Sequence, residues 1–77
     1  MVRAYVLIEV SAGRSQELVG TLAALDGVQS VARVTGPYDV IAEVGADSVE
    51  SIVDIVELQI HSMQGVTRTT TCACMAG

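Results

Sequence analysis

At 77 residues the chain is long enough for one small domain, and nine acidic residues against four arginines give it a formal net charge of −5. So few basic side chains exclude charge-driven binding to nucleic-acid phosphates, and they argue equally against anionic membrane surfaces. Hydrophobic residues make up 51% of the sequence, more than a domain of this size readily buries by itself, so we expect copies of the chain to associate.

The first strand is predicted over residues 2–10, where the residues alternate between two faces. The apolar face holds Val2, Ala4, Val6, Ile8 and Val10, and the mixed face holds Arg3, Tyr5, Leu7 and Glu9. A helix is predicted over residues 16–25, because leucines recur there at helical spacing, and Gly27 is expected to end it. The second strand is predicted over residues 28–35, with Val31 on the same mixed face.

The second half of the chain repeats this order, since VLIEV at residues 6–10 is matched by VIAEV at residues 40–44. The third strand is predicted there, and Asp47 is expected to cap the second helix, with Glu50 completing a capping box. The apolar stripe of that helix is Val49, Ile52, Val53, Val56, Ile60 and Met63. Ile55 and Leu58 lie off the stripe and are candidates for an additional contact. The last strand is predicted over residues 66–74.

The resulting order, βαββαβ, predicts a ferredoxin-like α+β fold in residues 1–77, with both helices on one face of a four-stranded antiparallel sheet. The other sheet face then lacks cover, and pairing with the same face of a second copy would bury it. We therefore expect a dimer.

The sequence offers little for catalysis, metal binding or export. No nucleophile or phosphate-loop motif is present, and His61 is expected to be a solvated residue near the end of the second helix. Cys72 and Cys74 project to one strand face, but they supply only half of a zinc ligand set and are too close for a disulfide framework of the secreted type. We predict no metal, no cofactor, no signal peptide and a cytoplasmic location.

Two segments are candidates for binding a small zwitterionic ligand. In the turn TGPYD at residues 35–39, the Asp39 carboxylate suits an ammonium group and the backbone amides suit a carboxylate. In GVTRTTT at residues 65–71, Thr69 and Thr71 offer hydroxyl groups. The alternative is that TGPYD is only a turn stabilised by its aspartate, and that the threonines are ordinary strand residues.

The combination of a TG-x-Y-D hairpin with a GV-x-x-T-x-T last strand, together with VLIEV and LDGV, resembles the regulatory ligand-binding domain of the Lrp/AsnC (feast/famine) transcriptional regulators. The resemblance extends over nearly the whole chain and is to the stand-alone type, without a helix-turn-helix. It implies a cytoplasmic regulatory module that pairs through its sheets and forms rings of dimers, often octamers.

The resemblance also implies that amino-acid effectors bind at contacts between dimers. Carried onto this sequence, the site residues are Gly36, Tyr38 and Asp39 of the hairpin with Thr69 and Thr71 of the last strand. Thr70 is expected to face the other side of its strand. Full-length Lrp/AsnC regulators are possible partners by co-assembly.

Two other functions stay open from the sequence. One is a purely structural oligomeric scaffold whose pocket is not used. The other is a small enzyme of the dimeric α+β barrel type, for which Tyr5, Tyr38 and His61 are the available polar aromatic residues.

Overall fold

The computed structural model describes residues 1–75, and in it strands and helices alternate in the predicted order. The elements are β1 (Val2–Val10), α1 (Ser15–Ala23), β2 (Val28–Arg33), β3 (Val40–Ala46), α2 (Val49–Asp54) and β4 (Val66–Ala73). The strands form one antiparallel sheet in the order β2-β3-β1-β4. The predicted ferredoxin-like α+β fold is therefore confirmed, and the strand ends lie within two residues of the predicted ones.

The core lies between one face of the sheet and the two helices. Alternation along β1 buries Ala4, Val6 and Ile8 completely, as predicted, because every second side chain of a strand points the same way. The buried apolar residues are Ala4, Val6, Ile8, Leu18, Leu22, Val40, Ala42, Val44, Ile52, Val56 and Ile60. Both helices contribute to this one cluster, so both cover the same sheet face.

The other sheet face, which we call the open face, is not covered by any element of residues 1–75. Its residues, assigned from strand register and alternation, are Arg3, Tyr5, Leu7, Glu9, Ser30, Ala32, Ile41, Glu43, Gly45, Arg68, Thr70 and Cys72. Leu7 and Ile41 are half-buried at its centre, and Tyr5 beside them is 44% exposed. Ion pairs join Arg3 to Glu43 and Arg68 to Glu9 across this face.

The expectation that Val31 lies on the open face is wrong. Val31 is paired with Ala42 and packs against the core. The reason is a bulge: the register between β2 and β3 shifts between Val28 and Ser30, so Gln29 is an extra residue in the strand. One extra residue reverses the alternation that follows it, and Ser30 and Ala32 take the open face instead.

The first helix buries Leu18 and Leu22 as predicted, and Leu25 packs against the core. The expectation that Gly27 ends the helix is wrong, because the helix ends at Ala23 with Ala24 as its cap. Gly27 follows it with φ +92°, a conformation that favours glycine. A Cβ atom at this position would lie 2.9 Å from Ile55 Cδ1 and 3.1 Å from the carbonyl oxygen of Gly45. Gly27 is therefore required both by its backbone angle and by close packing.

The prediction that Asp47 caps α2 is wrong, because the cap is the next residue, Ser48. The Ser48 hydroxyl oxygen accepts a hydrogen bond of 3.1 Å from the backbone N–H of Ser51. β3 extends to Ala46, so the chain is still leaving the sheet at Asp47 and turns into the helix only after Ser48. An N-cap side chain must precede the first helical residue directly, which Asp47 does not.

The α2 helix continues without a break into a π-helical segment, Ile55–Ile60. Its wider winding is seen in the bond from the His61 backbone N–H to the Val56 carbonyl oxygen, 2.7 Å long and five residues back. This winding keeps the residues spaced by four, Ile52, Val56 and Ile60, over the sheet. Met63 is half-buried against the same core.

The remaining apolar residues of this helix lie to its sides. Val49 and Val53 were predicted to share the buried stripe, but they are 48% and 44% exposed. Their positions on the helix are rotated away from the buried row of Ile52, Val56 and Ile60. Of the two residues predicted off the stripe, Ile55 packs against the core and Leu58 is 72% exposed.

The packing predicts a difference between two apolar residues of this helical region. Ile52→Ala should lower the free energy of unfolding by about 2–5 kcal/mol, because it removes a fully buried side chain and leaves a cavity. Leu58→Ala, the matched control, should change it by less than about 0.5 kcal/mol. Urea unfolding at one fixed protein concentration measures both, and equal losses would contradict this core.

The cap assignment is tested with two adjacent residues. Ser48→Ala should destabilise the protein by about 0.5–2 kcal/mol, because the N–H of Ser51 loses its acceptor. Asp47→Ala should be nearly neutral in the same urea titration. The reverse ranking would restore Asp47 as the cap.

Candidate functional site

Three of the five predicted site residues lie in the hairpin loop, residues 34–39, which joins β2 to β3. The backbone N–H of Val34 donates to the carbonyl oxygen of Asp39 over 2.9 Å and closes the loop. Gly36 has φ +126°, so this turn requires a glycine, while Tyr38 is half-buried near the base of the loop. The Asp39 N–H donates to the Ile8 carbonyl oxygen over 2.9 Å and fixes the loop to the sheet.

The Asp39 carboxylate has a definite structural role. Its Oδ2 atom accepts a hydrogen bond of 2.8 Å from the backbone N–H of Val10, at a partly buried position. The pairing of β1 with β4 is irregular at Glu9 and Val10, and the carboxylate thereby satisfies an amide at the end of the strand. A carboxylate has two oxygens and about four acceptor positions, so this one bond leaves Asp39 able to accept from a ligand.

Thr69 and Thr71 lie on β4 opposite Ile8 and Val6, so they project to the helix side of the sheet. Thr70 lies opposite Leu7 and projects to the open face, as predicted. Thr69 is half-buried and Thr71 is exposed at the sheet edge.

A single subunit does not bring the threonines together with the hairpin loop. β1 separates β3 from β4, and two strand spacings place the backbones of Asp39 and Thr69 about 10 Å apart. Thr71 lies two residues further along β4. The five predicted residues therefore form two groups, one in the loop and one on the edge strand.

Asp39 borders an open cleft of about 800 Å³, which we call the site cleft, whereas Gly36 and Tyr38 are not part of its lining. It is lined by Ser15, Arg33, Val34, Thr35 and Asp39. Ser15 is the first residue of α1 and Arg33 is the last residue of β2, so the cleft lies where these elements meet the hairpin loop. Of its lining, the sequence identified only Asp39 as a site residue.

The residues that were missed are polar and flank the hairpin motif. Thr35 belongs to TGPYD itself, and Arg33 ends the strand that leads into it. Arg33 is paired with Val40 across the hairpin. This strand register, had it been predicted, would have placed Arg33 beside the loop. Ser15 is distant in sequence, and only the packing of α1 brings it here.

Charge is distributed unequally over the molecule. Six acidic side chains lie on or beside the helices, with Arg14 as their single basic neighbour, and together they account for the whole net charge of −5: Glu17, Asp26, Asp47, Glu50, Asp54 and Glu57. The open face carries two arginines and two glutamates and is neutral. The site cleft carries one charge of each sign.

The other candidate residues lie apart from this cleft. Cys72 is exposed on the open face opposite Tyr5, and the N–H of Cys74 donates to the Arg3 carbonyl oxygen over 2.8 Å. His61 is exposed just after the π-helical segment. Within residues 1–75 no three histidine, cysteine or acidic side chains cluster as metal ligands, and no helix has the length and apolar character needed to cross a membrane.

Comparison with known proteins identifies a matching family. Residues 3–76 match the sequence model of the Lrp/AsnC ligand binding domain family. No curated protein sequence gives a significant match.

Solved structures match over nearly the entire chain. TTHA0845 from Thermus thermophilus is 40% identical with a TM-score of 0.94, and the match covers 100% of this chain and 96% of that one. The hypothetical protein PHS023 from Pyrococcus horikoshii is 27% identical with a TM-score of 0.91, covering 100% and 93%. The transcriptional regulator NMB0573 from Neisseria meningitidis, in complex with L-Met, shares the fold at 16% identity and a TM-score of 0.86, covering 97% and 50%.

The geometry of the loop predicts the effect of removing its carboxylate. Asp39→Ala should destabilise the protein by about 1–3 kcal/mol, because the partly buried N–H of Val10 loses its acceptor. Asp39→Asn keeps an acceptor oxygen without the charge and should cost about half as much.

Urea unfolding and amide hydrogen exchange of Val10 measure the two effects. Exchange at Val10 should accelerate in Asp39→Ala while amides at the far end of β1 stay protected. An unchanged Val10 exchange rate would show that the carboxylate does not hold the loop.

Proposed function

This chain belongs to the Lrp/AsnC ligand-binding domain family and is thus a regulatory, effector-binding module; we propose that its effector is an amino acid and that it acts without catalysis as an assembly of identical subunits. The observation that carries this proposal is the site cleft, where the hairpin loop places Asp39 at an open polar surface. An ammonium group is the natural partner for that carboxylate.

The proposed site has two parts from different subunits. Gly36, Tyr38 and Asp39 of one copy form the loop side. Thr69 and Thr71 of a neighbouring copy supply hydroxyl groups on the other side. This arrangement is favoured because, within one subunit, two strand spacings place the backbones of the threonines about 10 Å or more from the loop.

The amino-acid class of the effector is supported by one structural neighbour. The Neisseria regulator NMB0573 is described in complex with L-Met, so an amino acid is compatible with this fold. L-methionine is therefore the first compound to test on this chain, followed by the other standard amino acids.

The proposed assembly begins with two copies paired through their open faces. The open face is neutral and has Leu7, Ile41 and Tyr5 at its centre, whereas the helix side carries the net negative charge and would repel another copy. Such dimers would then form rings, and co-assembly with full-length Lrp/AsnC regulators would make the module a modulator of transcription. A reducing cytoplasm, in which Cys72 and Cys74 stay as thiols, fits this role.

The enzyme alternative has little support from the arrangement of its candidate residues. Tyr5 lies on the open face, Tyr38 in the hairpin loop, and His61 beyond the π-helical segment. Acid–base catalysis needs such groups within hydrogen-bond reach of one substrate. Binding of an amino acid by the wild-type chain distinguishes the proposed function from the scaffold alternative.

We expect at least one free L-amino acid, supplied at millimolar concentration, to raise the melting temperature of the folded protein, because a ligand that binds only the native state stabilises it by mass action. At a concentration of about 100 times Kd the gain is about 2.7 kcal/mol. Differential scanning fluorimetry measures the shift.

The matched variants are Asp39→Asn and Glu57→Gln, which remove one carboxylate each. Asp39→Asn should weaken binding about 10-fold or more in calorimetry at a temperature where the variant is folded, because the ammonium group loses its charged acceptor. Glu57→Gln lies on the exposed helix surface and should bind normally. If no amino acid shifts the melting temperature of the wild-type chain, the scaffold function replaces this proposal.

A further inference from the structure

We propose that Arg33 binds the carboxylate of the effector, so that the site takes only an amino acid whose carboxylate is free and rejects the corresponding amide. This inference rests on the proposed amino-acid function and adds to it a residue and a chemical selection rule. It is carried by the site cleft, which places one basic and one acidic side chain on the same open surface.

Among the residues that the structure describes, Arg33 differs from the other arginines in having no acidic partner. Arg3 pairs with Glu43 at 3.1 Å, Arg14 with Glu17 at 3.7 Å, and Arg68 with Glu9 at 3.9 Å. Arg33 forms no ion pair with any group in residues 1–75, although the chain has nine acidic residues and only four arginines. Its guanidinium group therefore keeps its binding capacity for an anion from outside.

The position of Arg33 makes the site cleft the place where that anion would bind. Arg33 is the last residue of β2 and is fixed by its pairing with Val40 across the hairpin. It is exposed and lines the cleft together with Asp39, yet the two side chains do not form an ion pair with each other. Asp39 is held instead by the N–H of Val10.

Two opposite charges that share a cleft without pairing match a ligand that carries both charges itself. In an α-amino acid the ammonium and carboxylate groups are attached to one carbon, so one molecule can bridge Asp39 and Arg33. A guanidinium group binds a carboxylate through two parallel hydrogen bonds, which are charge-assisted and directional. The hydroxyl groups of Ser15 and Thr35 border the same cleft and can complete the polar contacts.

A second copy of the chain is a less suitable source of the anion. The acidic residues on the helix side are matched there by a single arginine, so a contact that brought them to the cleft would place like charges beside Asp39. A small zwitterion neutralises both cleft charges without that cost.

The test compares free amino acids with their amides on four chains: wild type, Arg33→Gln, Arg33→Lys and Arg14→Gln. The probes are L-methionine, L-methioninamide and the same pair for every amino acid that stabilises the wild type. Arg14→Gln removes the same charge from a residue that lies off the open face and outside the cleft lining, and it is the matched control. Isothermal titration calorimetry gives each affinity, and circular dichroism verifies that each chain is folded.

We expect Arg33→Gln to bind the free acid about 10- to 100-fold more weakly than wild type, because one charged hydrogen-bonding group is lost. Arg33→Lys should recover only part of the affinity, since an ammonium group does not form the two-bond contact. The amide should bind wild type as weakly as the free acid binds Arg33→Gln, and Arg14→Gln should equal wild type.

Two outcomes overturn the inference in distinguishable ways. If the wild-type chain binds an amino acid and Arg33→Gln binds it equally, or the amide binds as well as the acid, Arg33 is not the carboxylate ligand and the proposed function stands. If no amino acid binds the wild-type chain, the proposed function fails and the role of Arg33 fails with it.

Discussion

The sheet has two faces, and residues 1–75 supply helices for only one of them. The covered face holds the whole buried core, and the helices above it hold the net charge of −5. The open face keeps Leu7 and Ile41 between two ion pairs and is neutral. Because apolar area is left to bury on the one side that does not repel a second copy, association through the open face is the simplest way to complete the fold.

The same division positions the proposed effector site. The hairpin loop and the start of α1 meet at one end of the sheet, and Asp39 holds the loop there through the N–H of Val10. One carboxylate thus fixes the loop and contributes charge to the cleft. The predicted threonines lie on the edge strand, two strand spacings away, so a site that uses all five residues requires a neighbouring subunit.

Much of this structure was predictable from local patterns. Alternation along β1 predicted its buried residues, because this signal depends on the chain alone. Gly27 was expected to end α1, but the helix ends at Ala23, with Ala24 as its cap. The bulge at Gln29 carries no such signal, and it reversed the side assigned to Val31. Asp47 and Ser48 are both good caps, and only the length of β3 decides between them. That Arg33 lines the cleft could not be predicted, because strand pairing and the packing of α1 form the cleft.

The measurement that tests the central claim most directly is the sedimentation of the purified chain at micromolar concentration. Wild type should sediment as a dimer or a larger assembly. Leu7→Glu places a charge at the centre of the open face and should shift the chain toward single subunits, whereas Leu58→Glu on the exposed helix surface should not. A wild-type chain that is folded and sediments as a single subunit would contradict the account.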